Sequence, residues 1–463
     1  MLTFLLVPLY TELLPEAEYG QISVIFAYLA LFNVILSYGV ETAFFRFLNK
    51  QENRGKVVGT SSISLLLSSG IFLIVTFFLR EQISVWIDIP LRYIQYVIWI
   101  LFLDALVVIP FAWLRAQEKP MRYTVIKILN VAVNLGLNIF FLLFLEDLAE
   151  KSTLFEQIYR PHYEIAYVFI ANFIASLITL LLMLPFYLKV KWQFDAALWK
   201  KMLSYAAPIL IAGIAFTVNE VFDRILLKYL LPPETADAQI GIYSACYKLA
   251  LFMTLFVTAF RLGIEPFFFS HAEEKNAEKT YATITHYFVI FASFILLLVM
   301  VFLDPLKRLI IRDESYWEAM AIVPIILLAN LCLGLYHNLS VWYKITDRTK
   351  FAGYISLFGA GITLALNFLL IPEIGYRGSA WATLAAYASM MVLSYIFGKK
   401  YYPVPYNLKA ILGYLSLSIG LSMLSFFVFR DQYWFGILSV IAFLILIYAK
   451  EQKQIKKIIA TKN

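Results

Sequence analysis

Apolar runs of about 20 residues or more follow one another along this chain, parted by short charged connections, and that succession leaves few folds open. A run of that length without paired charges is a membrane-spanning helix, because hydrocarbon offers backbone groups no partner outside the segment. Taking Pro, Gly and charge as boundaries gives a short run ending near Leu14, then helices near 20–48, 57–79, 92–114, 122–145 and 164–188. The second half gives 203–231, 238–270, 280–303, 317–343, 351–371 and 377–398, with an extra pair at 407–429 and 433–449. At 62% hydrophobic and 15% charged residues, the chain has too little polar surface for a soluble globule. The expectation is an all-α polytopic membrane protein of about 14 helices, with the chemistry inside the membrane.

The second half rewrites the first. Leu14-Pro15, Gly20, Leu29-Ala30-Leu31-Phe32 and Gly39-Val40-Glu41 are answered in order by Leu231-Pro232, Gly241, Leu249-Ala250-Leu251-Phe252 and Gly263-Ile264-Glu265. The offset drifts from 217 to 224, so small insertions separate the copies. In the second copy an apolar helix from about Tyr205 precedes Leu231-Pro232, whereas 13 residues precede Leu14-Pro15, so the first helix is expected to be incomplete. A signal peptide is the competing reading, but the basic n-region and the small-residue cleavage site are missing. The domains expected are a lobe at 1–189, a linker at 190–202, a second lobe at 203–398, the extra pair at 399–450 and a basic tail at 451–463.

Loop charge sets an orientation. Alternate connections (49–56, 115–122, 189–202, 272–279, 344–350, 399–409 and 450–463) hold 23 Lys and Arg, while the opposite set holds 9. The positive-inside rule makes the first set cytoplasmic, with both termini inside. This placement accounts for the net charge of +7 without nucleic acid. The linker KVKWQFDAALWKKM, 189–202, sets aromatic residues among lysines and reads as a short interfacial helix, a passive tether or else a latch.

An ionisable residue in hydrocarbon costs about 2.5–3.5 kcal/mol on insertion scales, so each must be paired or face a wet cavity. The helix at 20–48 carries Glu41 and Arg46, that at 92–114 carries Asp104, the seventh carries Glu220, Asp223, Arg224 and Lys228, and the eighth carries Lys248, Arg261 and Glu265. Glu220 with Arg224, and Arg261 with Glu265, are four apart and can form local ion pairs on one helix face. Lys248 and Asp104 have no such same-helix partner and favour a cavity. Lys127, Asn130, Asn134 and Asn138 form one stripe, read as interhelical hydrogen bonding with Lys127 snorkelling to the interface. His286, Asn330, His337, Asn338 and Asn367 are isolated and read as packing. Cys246 and Cys332 stand far apart without metal spacing and are expected as free buried thiols. Phosphate loops, HExxH and GxSxG are missing, so no enzyme, cofactor or metal is expected.

LYTELLPEAEYG (9–20) followed by YGVETAFFRF (38–47), and FDRILLKYLLPPE (222–234) followed by IGIYSACYKL (240–249), resemble the multidrug/oligosaccharidyl-lipid/polysaccharide (MOP) flippase superfamily, in particular its Wzx-type polysaccharide exporters. The resemblance implies two six-helix bundles in a V, a MATE-like arrangement related by a pseudo-twofold along the membrane normal, around a cationic lumen lined by the first, second, seventh and eighth helices. It makes Arg46, Arg224, Lys248 and Arg261 the substrate-binding candidates, with Glu41 and Asp223 as acidic partners. Glu41, Asp104 and Glu220 are available for H+ or Na+ coupling. The extra helix pair also resembles the lipid II flippase branch. The expected function is movement of an isoprenoid pyrophosphate-linked oligosaccharide across a bacterial cytoplasmic membrane by alternating access. The polyprenyl-pyrophosphate-linked glycan and membrane lipid would be its partners, and glycan-assembly proteins its neighbours. The rivals are a lipid II flippase and an ion-coupled multidrug exporter.

Overall fold

The computed structural model describes residues 2–50, 53–271, 274, 276–430 and 432–460. All regular structure among them is helical, and 13 helices or merged helix pairs are long and apolar enough to cross a membrane. These correspond to the full-length runs delineated from the sequence, except that the run expected at 238–270 is broken at Ala250 and its candidate span is Leu251–Ser270; two short helices, α1 (Leu2–Leu5) and α2 (Val7–Leu13), precede them.

The chain separates into two compact units, Met1–Gly241 and Ile242–Asn463. The first holds α1, α2, α3 (Glu16–Ser37), α4 (Val40–Lys50), α5 (Arg54–Phe78), α6 (Arg80–Ile87), α7 (Leu91–Ala116), α8 (Pro120–Ile139), α9 (Leu145–Ala149), α10 (Thr153–Glu156), α11 (Glu164–Tyr187), α12 (Ala196–Leu230) and the start of α13 (Pro233–Leu249). The second continues with α14 (Leu251–Ser270), α15 (Ala277–Val301), α16 (Leu303–Ile310), α17 (Val323–Leu339), α18 (Val341–Ile345), α19 (Lys350–Ile374), α20 (Tyr376–Tyr401), α21 (Leu408–Met423) and α22 (Tyr433–Ala460). This division follows packing, whereas the lobes read from the repeat follow internal similarity. In the first unit α12 lies against α3, with the Tyr28 and Tyr229 hydroxyls 2.8 Å apart and Gly213 facing Val34. The basic tail begins inside α22, and its residues 461–463 lie outside the described residues.

Each unit is built around one buried helix. In the first it is α7, which packs against α3, α4, α5, α8 and α11, and whose long interior run carries Asp104 as its one ionisable residue. In the second it is α17, packed against α14, α15 and α20 and buried along nearly its whole length. The two occupy equivalent places in the repeat. Elsewhere large apolar side chains such as Phe78, Leu188 and Ile445 stay on the outside, as expected where lipid, not water, is the solvent.

Two places show why the repeated residues are what they are. Leu14-Pro15 and Leu231-Pro232 each end one helix in extended backbone and start the next, since proline restrains its predecessor from the helical region. Beyond them α3 and α13 cross at their equivalent glycines, both inside the first unit. A Cβ on Gly20 would strike the Asp237 carbonyl, and one on Gly241 would strike the Glu16 carbonyl, so the contact is reciprocal. The α3–α4 break is also glycine-dependent. Tyr38 and Gly39 both have positive φ, 32° and 70°, and a Cβ on Gly39 would sit 2.9 Å from the Ala206 carbonyl. Tyr38 is held there by a 2.6 Å hydroxyl contact with Ser64. The counterpart Gly263 lies inside unbroken α14, and the second copy breaks instead at Ala250.

The linker departs from expectation. It forms no separate interfacial helix: 190–195 are non-helical, and Ala196 begins α12, which runs unbroken to Leu230. Asp195 caps that helix by accepting the Leu198 N–H at 3.0 Å, so the residues read as an interfacial helix became the first turns of a long span.

Candidate functional site

A cavity of about 540 Å³ opens inside the first unit among α3, α4, α7, α8 and α11. Its walls carry Glu41 on α4, Asp104 and Arg115 on α7 and Lys127 on α8, two acids and two bases. Asn33, Ser37, Asn130, Asn172, Ser176 and Thr179 complete a polar lining. The charges stand at two depths. Glu41 and Arg115 form an ion pair at the end bearing the basic loops. Asp104 lies eleven residues up α7, roughly 16 Å deeper at the helical rise, and accepts a 2.8 Å hydrogen bond from the Ser176 hydroxyl. Lys127 opens onto the same cavity with its ammonium 4.2 Å from the centroid of the Phe111 ring. Asn130 donates to Thr179 at 2.9 Å, tying α8 to α11.

Asp104 therefore faces a cavity, as its lack of a same-helix partner suggests. Lys127 and Asn130 have a second role that the stripe reading missed. Asn138 makes the expected interhelical bond, accepting from the Tyr10 hydroxyl at 2.8 Å, while its amide donates to the Asn134 carbonyl at 2.8 Å within α8. Arg115 entered the sequence reading only as a loop charge. The signal that could have found it is its place immediately after the apolar run that carries Asp104.

The other candidates are dispersed. Arg46 lies 4.1 Å over the Tyr205 ring. Arg224 is buried, and its guanidinium donates to Asp223 Oδ1 at 2.8 Å and to the backbone carbonyl of Glu220 at 2.8 Å, so the neighbouring acid is one of its partners. Lys228 bridges Asp88 and Asp237, each at 2.9 Å. In the second unit Arg261 and Glu265 share a narrow cleft with His337, Asn338 and Lys344, with room for about one water, near 10 Å³. Glu265 is paired with Lys344 there, which replaces the expected local pair with Arg261 by one between helices. Lys248 is half-buried in the last turn of α13. Both cysteines are free and buried.

The family model for "Polysaccharide biosynthesis protein" matches residues 1–261, more than half of the chain. The chain belongs to the polysaccharide biosynthesis protein family. A second family model, MatE, matches residues 208–369. No curated protein matches. Among solved structures, a lipid II flippase MurJ in an inward closed conformation aligns with TM-score 0.74 and 15% identity, over 97% of this chain and 96% of that one. An inward-facing MATE multidrug resistance transporter of the MOP superfamily aligns with TM-score 0.67 and 11% identity, over 89% and 96%. An outward-facing one aligns with TM-score 0.59 and 12% identity, over 86% and 90%. At these identities the likeness is one of fold. Together with the family match it makes this family member a multi-pass MOP-superfamily flippase or transporter.

Proposed function

We propose that the protein is a Wzx-type flippase that moves a polyprenyl pyrophosphate-linked oligosaccharide across the bacterial cytoplasmic membrane by alternating access, with both termini cytoplasmic. The observation that carries this reading is the match of the polysaccharide biosynthesis family to residues 1–261, joined to a likeness to the lipid II flippase fold over almost the whole chain. The chemistry agrees with it. A pyrophosphate and its sugars need a wet, cationic path, while the polyprenyl tail can stay in lipid. Arg46, Arg224, Lys248 and Arg261 supply cations within helices. Arg224 is tempered by Asp223, which suits a contact that must also release. The cavity of Asp104, Lys127, Glu41 and Arg115 serves the driving ion, with Asp104 as the group that takes up H+ or Na+.

A complementation assay in a strain lacking its own flippase tests this. Lys248→Ala is expected to reduce glycan export about tenfold or more while Lys248→Arg keeps part of it, the size of one lost charge-assisted contact of about 1.5–3 kcal/mol. Export by Lys248→Ala equal to the parent, at equal membrane abundance, would remove Lys248 from the substrate path. The MatE match supports a second reading, an ion-coupled exporter of amphipathic drugs. Drug resistance conferred without glycan export would put that reading first.

A further inference from the structure

We propose that the first unit carries, at the end bearing the basic loops, a binding site for the headgroup of an anionic phospholipid. A pocket of about 260 Å³ lies among the foot of α5, the α7–α8 connection, the end of α11 and the start of the linker. Lys119, Arg122, Lys189 and Lys191 line it, without a carboxylate among the lining residues, and Trp113 and Phe186 stand on its apolar wall. It is separate in lining from the cavity of Asp104.

The cations are held by backbone rather than gathered by chance. Glu118, outside the lining, takes φ +54° and turns the chain sharply between α7 and α8, and Lys119 is steadied by donating to Gln117 Oε1 at 2.9 Å. The linker that brings Lys189 and Lys191 is pressed onto α5, where a Cβ on Gly59 would meet the Gln193 carbonyl at 2.7 Å. The Asp195 N–H donates to Thr60 Oγ1 at 3.1 Å, and Trp192 stacks on Tyr187 with ring planes 11° apart. The nearest linker acid, Asp195, is occupied in capping α12 and lies 3.9 Å from Lys56. Four cations so placed repel one another unless an anion joins them.

The apolar wall decides which anion. Leu182, which lines the pocket, and Leu188, the residue that follows α11, are 37% and 80% exposed, so the pocket adjoins a surface suited to acyl chains. Free phosphate gains nothing from such a wall. A phosphodiester headgroup anchored by its tails satisfies both parts, and basic pockets at this level of a membrane are where anionic headgroups collect. By bridging the α7–α8 turn and the linker, the lipid would fix the entry to α12.

The test uses the full chain in nanodiscs of phosphatidylcholine with a minority of phosphatidylglycerol, followed by native mass spectrometry of the lipid that stays bound. The parent is expected to retain phosphatidylglycerol selectively. Each single change among Lys119→Gln, Arg122→Gln, Lys189→Gln and Lys191→Gln should lower retention about fivefold, while Lys399→Gln with Lys400→Gln, a basic pair elsewhere, should leave it unchanged. Equal retention by parent and quadruple variant, or equal retention of phosphatidylcholine, would overturn the proposal. So would release of the lipid by inorganic phosphate alone, which would mean a site for free phosphate. If the quadruple variant does not stay monodisperse, the double change Lys119→Gln with Arg122→Gln decides, against a Lys119→Arg control that should bind as the parent does. None of these outcomes depends on which substrate the protein moves.

Discussion

Asp104 shows what a carboxylate in a membrane bundle requires: a hydroxyl donor in Ser176, a cation on the same cavity in Lys127, and space for water. That Asp104 needed such a place was legible from its helix. That Ser176 and Lys127 supply it was not, because helical spacing reports neighbours on one helix and says nothing of the next. The same limit explains why Glu265 pairs with Lys344 and not with Arg261, four residues away. We expect Asp104→Asn to reduce transport in reconstituted vesicles about tenfold or more with folding retained, and Asp104→Glu to recover part. Unchanged transport by Asp104→Asn would remove the driving-ion role. At the loop level, Asp195 is held below the usual carboxylate range by the Leu198 N–H first and by Lys56 and Lys201 as lesser influences. A depressed carboxylate stabilises the fold above its unfolded value and loses that contribution as pH falls through its folded value. The difference in thermal stability between the parent and Asp195→Asn should therefore be constant from neutral pH down to about pH 4 and shrink below it. A difference that grows on acidification would contradict the capping account.

At the scale of elements, the α3–α13 crossing and the C-terminal pair show opposite degrees of legibility. Gly20 and Gly241 were visible as repeat partners, and the structure adds the reason, since each backbone lies where the other's side chain would be. Gly20→Leu or Gly241→Leu should each lower stability by about 1–3 kcal/mol or more, read as thermal unfolding in detergent, and either change costing nothing would mean the helices do not cross there. The attachment of the C-terminal pair was not visible. His286 on α15 read as an isolated packing residue and Glu451 as part of a basic tail, yet His286 Nε2 lies 3.0 Å from Glu451 Oε1, and the Tyr414 hydroxyl donates to the same oxygen at 2.8 Å. Ser418 adds a 2.6 Å bond to the Ser293 carbonyl, which ties α21 to α15. Removing one member strands a buried partner, so His286→Leu or Glu451→Leu should each cost about 1–3 kcal/mol. The double change should cost less than their sum. Strict additivity in that cycle would show the two side chains to be uncoupled.

For the molecule as a whole, spans and fold were legible because each apolar run reports its own environment: each of the 13 full-length runs read from the sequence contains or overlaps one of the 13 candidate spans found among the described residues, the run at 238–270 contributing only Leu251–Ser270. Breaks inside spans were less so. Tyr38-Gly39 stops a helix with both residues at positive φ, whereas Gly263, its counterpart, lies inside unbroken α14, and the shared residue type does not say which glycine takes that conformation. The linker helix was misjudged for a related reason, as amphipathic spacing cannot say whether a helix ends or continues into the next span. The central claim is that this superfamily fold serves a lipid-linked saccharide. Its most direct measurement is transbilayer movement in proteoliposomes containing the purified protein, a polyprenyl pyrophosphate-linked saccharide with a fluorescent sugar, and a membrane-impermeant quencher on one side. The account predicts that the parent exposes the labelled sugar to the quencher, that Lys248→Ala does so about tenfold more slowly or worse, and that a cationic drug is not moved. Movement of the drug with no movement of the saccharide would contradict it.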